Sequence, residues 1–442
     1  MKLFGTDGIR FVVVPEKAKG EEEIIYSPEL IYKIALASSR VLRKGKYALV
    51  WDTRRSSFSI ASIFAGVLSS LGYDVILGGV LPTPSVSAIV LSLGLDGGFS
   101  ISASHNPPHF NGIKFFRKDG FKADRELEEK IEKSFLLQNS DLDLKLADLS
   151  FNPELAKNTY KGLVLSFFRE KFLSGVKVVL DCSNGSTYLV APQILEELGA
   201  KVKKIGCEPN GENINVGVGS EEPARALSEE GDFKIIFDGD GDRVLIGDSE
   251  GNLFDGDHIL SLLALFMSKE GTLKWGVVGT ILSNSALEIF VRNLGLNFER
   301  VEVGDRNIAY RMKDLGANLG GEESGHIILS DILPTGDGII SALKVLQYVI
   351  KSGKDIKELV IKKFYQAKGK IPVSRRKSLD SDEFRDIRKI EDEVKRYGGR
   401  VVIRYSGTEP VLRVMVEHED KVIAEKYKDI LVYELSKIFE RN

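Results

Sequence analysis

Three aspartates separated by single glycines, Asp238, Asp240 and Asp242, are the most distinctive chemical feature of the sequence. Glycine lets the backbone curl tightly enough to aim several carboxylates at one point, and such hard oxygen ligands suit Mg²⁺ or Ca²⁺. The spacing does not fit an EF-hand, because the sixth position of that loop requires glycine and is Arg243 here. The pattern predicts a divalent metal site. Two alternatives stay open: a solvated acidic turn, or an aspartate that acts as the nucleophile of an aspartyl-phosphate enzyme.

Ser104 lies in a turn-rich loop, residues 102–107, which follows a short apolar strand predicted at residues 97–101. A serine in a loop at the end of a strand can be exposed as a nucleophile or phosphate carrier while the scaffold holds it still. The alternative is a serine and an asparagine that cap a turn before two prolines. These residues alone leave both interpretations open.

A third polar loop, residues 321–326, carries Glu322, Ser324 and His326 at alternate positions. A carboxylate, a hydroxyl and an imidazole in that arrangement fit the recognition of sugar hydroxyls, and His326 is suited to proton transfer near neutral pH. A structural histidine beside a glycine is the alternative.

A fourth group of polar residues fits the binding of an anion. Residues 404–408 place hydroxyls and backbone N–H groups around a glycine, and nearby arginines add bidentate charge. The candidate anion ligands are Arg404, Ser406, Gly407, Thr408 and Arg413. A hairpin turn that contains glycine is the alternative. Near the N-terminus, Arg10 is a further candidate anion ligand, with a simple turn into the first strand as its alternative.

The elements that position these loops recur three times. An apolar strand, a helix that ends in Leu-Gly and a second strand follow one another from residues 48, 177 and 276. This is the βαβ pattern of a mostly parallel sheet. A further helix and a short strand then lead to the loops at 102–107, 238–243 and 321–326. Because ligands of open α/β sheets bind beyond the carboxyl ends of strands, we expect the three loops to converge on one cleft.

The last part of the sequence has a different order of predicted helices and strands. A helix predicted at residues 382–397, strands at 400–404 and 411–417 and a C-terminal helix indicate a small α+β domain, joined through the polar stretch 368–370. The predicted fold class is three similar mixed α/β domains with mostly parallel sheets plus a smaller C-terminal α+β domain, around one central cleft. The predicted boundaries are 1–152, 153–252, 253–366 and 370–442.

Composition and charge limit the classes of function. The 442 residues are 43% hydrophobic and 28% charged with a formal net charge of −3, which is typical of a globular protein and gives no reason to expect binding to nucleic acid or to a membrane. Cys182 and Cys207 are the only cysteines, which is no disulfide framework and suits a reducing compartment. Since the N-terminus shows no signal-peptide pattern, we expect a cytoplasmic protein.

With these motifs assembled, the sequence resembles the α-D-phosphohexomutase family. The resemblance runs through residues 4–10, 101–107, 111–114, 238–243, 321–326 and 406–410, in the family's order and over essentially the whole length. It implies a phosphohexomutase that moves phosphate between O6 and O1 of a hexose phosphate. Ser104 would be carried as phosphoserine, and a hexose 1,6-bisphosphate would be the intermediate and activator.

The resemblance also implies roles for single residues. Ser104 and the three aspartates would hold Mg²⁺, and Arg243 would bind the same phosphate. The candidate acid/base or charge-stabilising groups are Arg10, Lys114 and His326. Glu322 and Ser324 would bind sugar hydroxyls. The four domains would carry the phosphoserine, the metal, the sugar-recognition loop and the site of the non-reacting phosphate, the last formed by Arg404, Ser406, Gly407, Thr408 and Arg413.

The expected reaction converts glucosamine 6-phosphate to glucosamine 1-phosphate. The alternative within the family is a phosphoglucomutase/phosphomannomutase. Two more remote hypotheses are a phosphatase that uses Asp238 or Asp240 as nucleophile and a sugar-phosphate sensor without catalysis. We expect a monomer or a homodimer.

Overall fold

The computed structural model describes residues 2–5, 7–18, 23–137, 144–168, 170–406 and 410–440. Their strands form four sheets of six, five, four and three strands. None of the helices in this described part of the chain is long and apolar enough to cross a membrane.

The helices and strands follow the chain in order. The first sheet and its helices comprise β1 (Ile9–Val12), α1 (Pro28–Ser39), β2 (Lys46–Trp51), α2 (Ser57–Ser70), β3 (Asp74–Val80), α3 (Ser85–Leu93), β4 (Gly97–Ile101), β5 (Phe110–Arg117), α4 (Arg125–Phe135) and β6 (Leu149–Phe151). The second group comprises α5 (Pro153–Phe167), β7 (Lys177–Asp181), α6 (Val190–Glu197), β8 (Lys201–Ile205), α7 (Ala224–Leu227), β9 (Phe233–Phe237), β10 (Val244–Asp248) and β11 (Leu253–Phe254). The third comprises α8 (Gly256–Lys269), β12 (Gly276–Thr280), α9 (Ser285–Asn293), β13 (Asn297–Val301), α10 (Asp305–Leu315), β14 (Leu319–Gly321), β15 (Ile327–Leu329) and α11 (Gly338–Ser352). The fourth comprises β16 (Tyr365–Pro372), α12 (Arg385–Arg396), β17 (Arg400–Tyr405), β18 (Val411–His418) and α13 (Lys421–Glu440).

The first three sheets share one topology. Their parallel strands lie in the orders β3-β2-β4, β8-β7-β9 and β13-β12-β14. In each sheet an antiparallel strand, β5, β10 or β15, then pairs with the last of the three. Each polar loop therefore connects the carboxyl end of a parallel strand to its antiparallel neighbour. The predicted threefold repeat and fold class are confirmed.

The first helix of each repeat ends in the same way. A leucine is followed by a glycine with positive φ: 87° at Gly72, 99° at Gly199 and 77° at Gly295. Glycine adopts this left-handed conformation without a steric penalty, so the helix stops and the chain turns back into the next parallel strand.

The apolar core joins the first three domains. Side chains alternate along β2, so Ala48 and Val50 face one cluster while Leu49 faces another. The first cluster continues through the second and third sheets, for example at Leu180 on β7 and Val277 on β12. The fourth domain has a separate core. The three repeats therefore pack against one another, whereas the fourth domain is a separate body attached to them.

Polar contacts attach the fourth domain to the third. The buried carboxylate of Glu417 accepts a hydrogen bond from the backbone amide of Ser285 at 3.1 Å and also contacts the Ser285 hydroxyl. Arg400 donates to the carbonyl oxygen of Ile281 at 2.8 Å. These contacts lie at the carboxyl end of β12, close to the cleft.

Two details differ from the sequence prediction. The polar stretch 368–370, expected as a linker, is the middle of β16, which pairs with β18 along its whole length and spans the boundary predicted between residues 366 and 370. The further helix expected before the third parallel strand of the second repeat is reduced to the single turn of α7, Ala224–Leu227. The remaining domain boundaries stay a prediction.

Candidate active site

Ser104 lies immediately beyond β4, where the loops of the first and second domains meet. Its φ of 53° is in the left-handed region, a conformation that non-glycine residues adopt at a cost and that often marks a functional loop. The Oγ donates a hydrogen bond to Asp238 Oδ2 at 2.6 Å, and the backbone amide donates to Ser102 Oγ at 2.9 Å. The predicted serine loop and the predicted metal loop are therefore in direct contact.

The three aspartates of the metal loop are buried and aim at one another. One oxygen from each lies within 4.8 Å of the other two. Burial first, and then the carboxylates of Asp240 and Asp242, raises the pKa of Asp238 to about 8. The Oδ1 atoms of Asp240 and Asp242 are buried without a hydrogen-bond partner in the described part of the chain. Unpaired carboxylate oxygens of this kind fit a hard divalent cation such as Mg²⁺.

Lys114, on β5, contacts the metal loop directly. Its Nζ lies 2.7 Å from Asp240 Oδ2, 3.1 Å from Asp242 Oδ2 and 2.7 Å from Asp7 Oδ2. Burial alone would lower the pKa of Lys114, but these three carboxylates raise it above its ordinary value. The ammonium is therefore charged and holds its proton tightly, which suits stabilisation of negative charge.

Arg10 contacts the serine loop, and Arg243 contacts the metal loop. The guanidinium of Arg10 donates to the carbonyl oxygen of Ser102 at 2.7 Å, at the base of the serine loop. The backbone amide of Arg243 donates to Asp238 Oδ1 at 3.2 Å, and its Nε is buried without a hydrogen-bond partner among the described residues. Burial lowers the pKa of Arg243, but Asp238 and Asp242 outweigh it and raise the pKa.

The third loop brings His326 beside the metal loop. His326 Nδ1 lies 3.8 Å from Asp242 Oδ2, and its Nε2 lies 3.7 Å from Asp305 Oδ2. Burial would lower the pKa of His326, but the two carboxylates raise it. Glu322 Oε1 accepts from the amide of Gly304 at 3.0 Å, and burial raises the pKa of this carboxyl. The Ser324 Oγ is buried and makes no hydrogen bond to a described residue, so it has capacity for a ligand hydroxyl.

The fourth domain places two arginines beside this loop. Arg404 and Arg413 are register partners on β17 and β18, and the amide of Ser406 donates to the carbonyl oxygen of Val411 at 2.9 Å. Burial, followed by the charge of Arg413, lowers the pKa of Arg404. Such a concentration of positive charge favours an anion. The predicted ligands Gly407 and Thr408 lie outside the described residues.

A buried arginine that the sequence analysis missed shapes the serine loop. Arg54, beyond β2, forms an ion pair with Asp52 at 2.9 Å, and both side chains are almost fully buried. Its guanidinium donates to the carbonyl oxygen of Ser104 at 3.0 Å and to that of Asn106 at 2.7 Å, and it also contacts the carbonyl of Pro107. Its position after the first strand of a repeat was the available signal, but nothing in the sequence shows that it reaches a loop about 50 residues away.

Lys122 is a second residue that the sequence analysis missed. Its Nζ lies 3.0 Å from Asp7 Oδ1 and 3.3 Å from Asp242 Oδ2, and it also forms an ion pair with Asp305. Asp242, Asp305 and His326 form a second group with metal-ligand geometry, but the Lys122 ammonium already contacts both of its carboxylates. Lys122 therefore links side chains of the three α/β domains at the centre of the site.

Four domain families match consecutive parts of the chain. They are the phosphoglucomutase/phosphomannomutase alpha/beta/alpha domains I, II and III, at residues 1–140, 161–251 and 255–366, and the C-terminal domain, at residues 369–432. The chain belongs to the phosphoglucomutase/phosphomannomutase family. It is an enzyme of the mutase class.

Individual relatives of this mutase agree with the family assignment. A phosphoglucosamine mutase of Nautilia profundicola is 39% identical over 443 residues, which cover 98% of both chains. A phosphoglucosamine mutase of Escherichia coli O81 is 40% identical over 433 residues, or 95% of each chain. Among solved structures, a phosphoglucomutase/phosphomannomutase family protein of Burkholderia thailandensis superimposes with a TM-score of 0.78 at 19% identity, covering 99% of this chain and 97% of the other. A putative phosphomannomutase of Thermus thermophilus gives 0.76 at 24% identity, with coverage of 99% and 98%. These structures share the mutase's fold.

The role of Arg54 in this mutase is testable by substitution. Arg54→Met should lower the free energy of unfolding by roughly 3–5 kcal/mol, because it leaves Asp52 buried without its partner. Arg55→Met is the matched control: the Arg55 side chain is 82% exposed, and its loss should change stability by less than about 0.5 kcal/mol. Urea denaturation measures both. Equal unfolding midpoints for the two variants would contradict the assignment.

The contacts of Lys122 with Asp242 and Asp305 predict that its substitution slows turnover. Lys122→Met should lower kcat by about 10- to 100-fold, the range typical of residues that hold metal ligands in place, because Asp242 and Asp305 lose the ammonium between them. Lys122→Arg keeps the charge and should retain more activity. The exposed Lys118 on the same turn provides the control, since Lys118→Met should leave kcat unchanged. Wild-type kcat in Lys122→Met would refute the positioning role.

Proposed function

We propose that this mutase moves a phosphoryl group between O6 and O1 of a hexose phosphate through a phosphoserine at Ser104. The observation that carries the proposal is the contact between Ser104 and the metal loop, in which Ser104 Oγ lies 2.6 Å from Asp238 Oδ2. A serine that only terminated a turn would not need to be held in a left-handed conformation against a carboxylate cluster.

Ser104 and the three aspartates would hold Mg²⁺. When bound, the ion would neutralise charge on the phosphoryl group during transfer. Arg243, whose Nε has no hydrogen-bond partner among the described residues, would bind oxygens of the same phosphoryl group. Lys114 and Arg10 would stabilise negative charge beside Ser104, and the raised pKa of Lys114 supports its role as a cation. His326 is the remaining candidate for proton transfer with a sugar hydroxyl.

The sugar would lie between the third and fourth domains. Glu322 and the Ser324 hydroxyl, which makes no hydrogen bond to a residue that the structure describes, would bind its hydroxyl groups. The non-reacting phosphate would be bound by Arg404, Ser406, Gly407, Thr408 and Arg413. The salt bridge of 3.0 Å from Lys368 to Glu323 supports this placement, because it brings the fourth domain onto the sugar loop. Binding energy at this distant phosphate would position the reacting bond.

Both ends of the sugar must react with Ser104 in one cycle. The phosphoserine would give its phosphoryl group to the substrate, which forms a hexose 1,6-bisphosphate. This intermediate would reverse its orientation in the site before the other phosphoryl group returns to Ser104. The distant phosphate site must therefore accept the sugar in both orientations. Backbone N–H groups and arginines suit this requirement, because they bind the phosphate and need no specific contacts with the sugar ring.

Glucosamine 6-phosphate is the substrate we propose, because relatives about 40% identical over nearly the whole chain are named phosphoglucosamine mutase. Glucose and mannose phosphates are the alternatives. A phosphatase with Asp238 as nucleophile is disfavoured, since Oδ2 of that carboxylate accepts from Ser104 and Oδ1 accepts from the amide of Arg243. We further propose a cytoplasmic enzyme that is a monomer or a homodimer.

The substrate proposal predicts a ranking of sugars. The value of kcat/KM should be highest for glucosamine 6-phosphate when it is compared in parallel with glucose 6-phosphate and mannose 6-phosphate. Ser104→Ala should abolish turnover of all three and serves as the blank for each. Equal efficiency on the three sugars would disprove the preferred substrate and leave the mutase chemistry intact.

A further inference from the structure

The two cysteines of the chain lie side by side in the second domain, outside the catalytic loops. Cys182 follows β7, and Cys207 follows the neighbouring parallel strand β8. The amide of Cys182 donates to the carbonyl oxygen of Ile205 at 3.0 Å, and Cys207 Sγ donates to the same oxygen at 3.2 Å. Both cysteines therefore contact the same carbonyl oxygen, Cys182 through its amide and Cys207 through its thiol. A disulfide between them requires a Cα separation of about 4.4–6.8 Å.

The environments of the two thiols differ in a way that supports sequential oxidation. Cys182 is fully buried, whereas Cys207 is only half-buried. The interaction with Cys182 lowers the pKa of Cys207, and burial raises the pKa of Cys182. The accessible thiol is therefore the better nucleophile, and the buried one lies next to it.

The loop that begins at Cys182 supports the metal loop. The Ser183 hydroxyl donates to the carbonyl oxygen of Phe237 at 2.7 Å, and the amide of Ser186 donates to that of Gly239 at 2.8 Å. A methyl group on Gly185 would lie 2.2 Å from the Gly239 oxygen, so the two backbones are in tight contact. A displacement of Cys182 is therefore transmitted to the metal loop.

The same loop also reaches the serine loop. The carbonyl oxygen of Ser183 accepts from the amide of Asn215, and Asn215 Nδ2 donates to the carbonyl oxygen of Ser104 at 2.9 Å. Both halves of the proposed phosphoryl-transfer site thus depend on the position of the residues next to Cys182.

We propose that Cys182 and Cys207 are a redox modification site, in which a reversible disulfide lowers turnover by displacing the loop that supports the metal and serine loops. The oxidant is a peroxide. The Cys207 thiolate attacks one peroxide oxygen and becomes a sulfenic acid as hydroxide leaves. The Cys182 thiol then attacks the sulfenic sulfur, the S–S bond forms and water leaves. Two thiols lose two electrons to one peroxide, and a dithiol reductant reverses the reaction.

The test uses the full-length enzyme treated with hydrogen peroxide. The intact mass should fall by two hydrogens, both thiols should resist alkylation, and kcat should fall about tenfold or more, since displacements of about 1 Å at reacting groups can cost ~100-fold. Dithiothreitol should restore the mass and kcat. The disulfide is detected by mass alone, so its failure is distinguishable from a failure of the proposed mutase function.

Cys207→Ser is the matched variant, because Cys207 is half-buried and lies outside the catalytic residues. It should have wild-type kcat before treatment and keep it in peroxide. Cys182→Ser should likewise form no intramolecular disulfide, and its Cys207 should remain open to alkylation after reduction. Three results would overturn the proposal: a disulfide with unchanged kcat, oxidation of Cys207 to sulfinic acid or to a link between two chains, or an equal loss of kcat in Cys207→Ser.

Discussion

A buried network of opposite charges at the junction of the three α/β domains is the interaction on which this mutase depends. Lys114 and Lys122 are almost fully buried and contact carboxylates contributed by each of the three domains. Removing such charges from water costs several kcal/mol for each ion, and only close pairing offsets that cost. The first domain supplies the lysines and the second supplies Asp242, so neither domain can bury its charges alone. The site therefore forms only when the three domains pack against one another.

The repeated topology explains why the loops meet there. In each repeat the functional loop connects a parallel strand to an antiparallel one at the carboxyl edge of the sheet. One repeated geometry thus presents three different loops: a serine loop, an acidic loop and the loop that we propose binds the sugar. The fourth domain has its own core and is held to the third by polar contacts of Glu417 and Arg400, which suits its proposed role of binding one phosphate of a sugar in two orientations.

The sequence was informative where chemistry and periodicity are local. Strand-helix-strand repeats, their Leu-Gly helix ends and the polar loops follow from patterns within about 50 residues, and the fold class was predicted from them. Arg54 and Lys122 were missed because their roles depend on partners in other loops or domains, which no local pattern encodes. Residues 368–370 are charged or glycine, a composition that predicts a linker. In the structure they lie in the middle of β16, because pairing with β18 makes this segment a strand. Whether a segment forms a strand depends on its neighbours in the folded sheet, which the local sequence does not show.

The central claim is that Ser104, and not an aspartate, carries the phosphoryl group. Phosphopeptide mapping after incubation with a hexose 1,6-bisphosphate tests it most directly. We predict one phosphoryl group on the peptide that contains Ser104, stable to hydroxylamine, and none in Ser104→Ala. A hydroxylamine-sensitive phosphoryl group on the peptide that contains Asp238 would contradict the account.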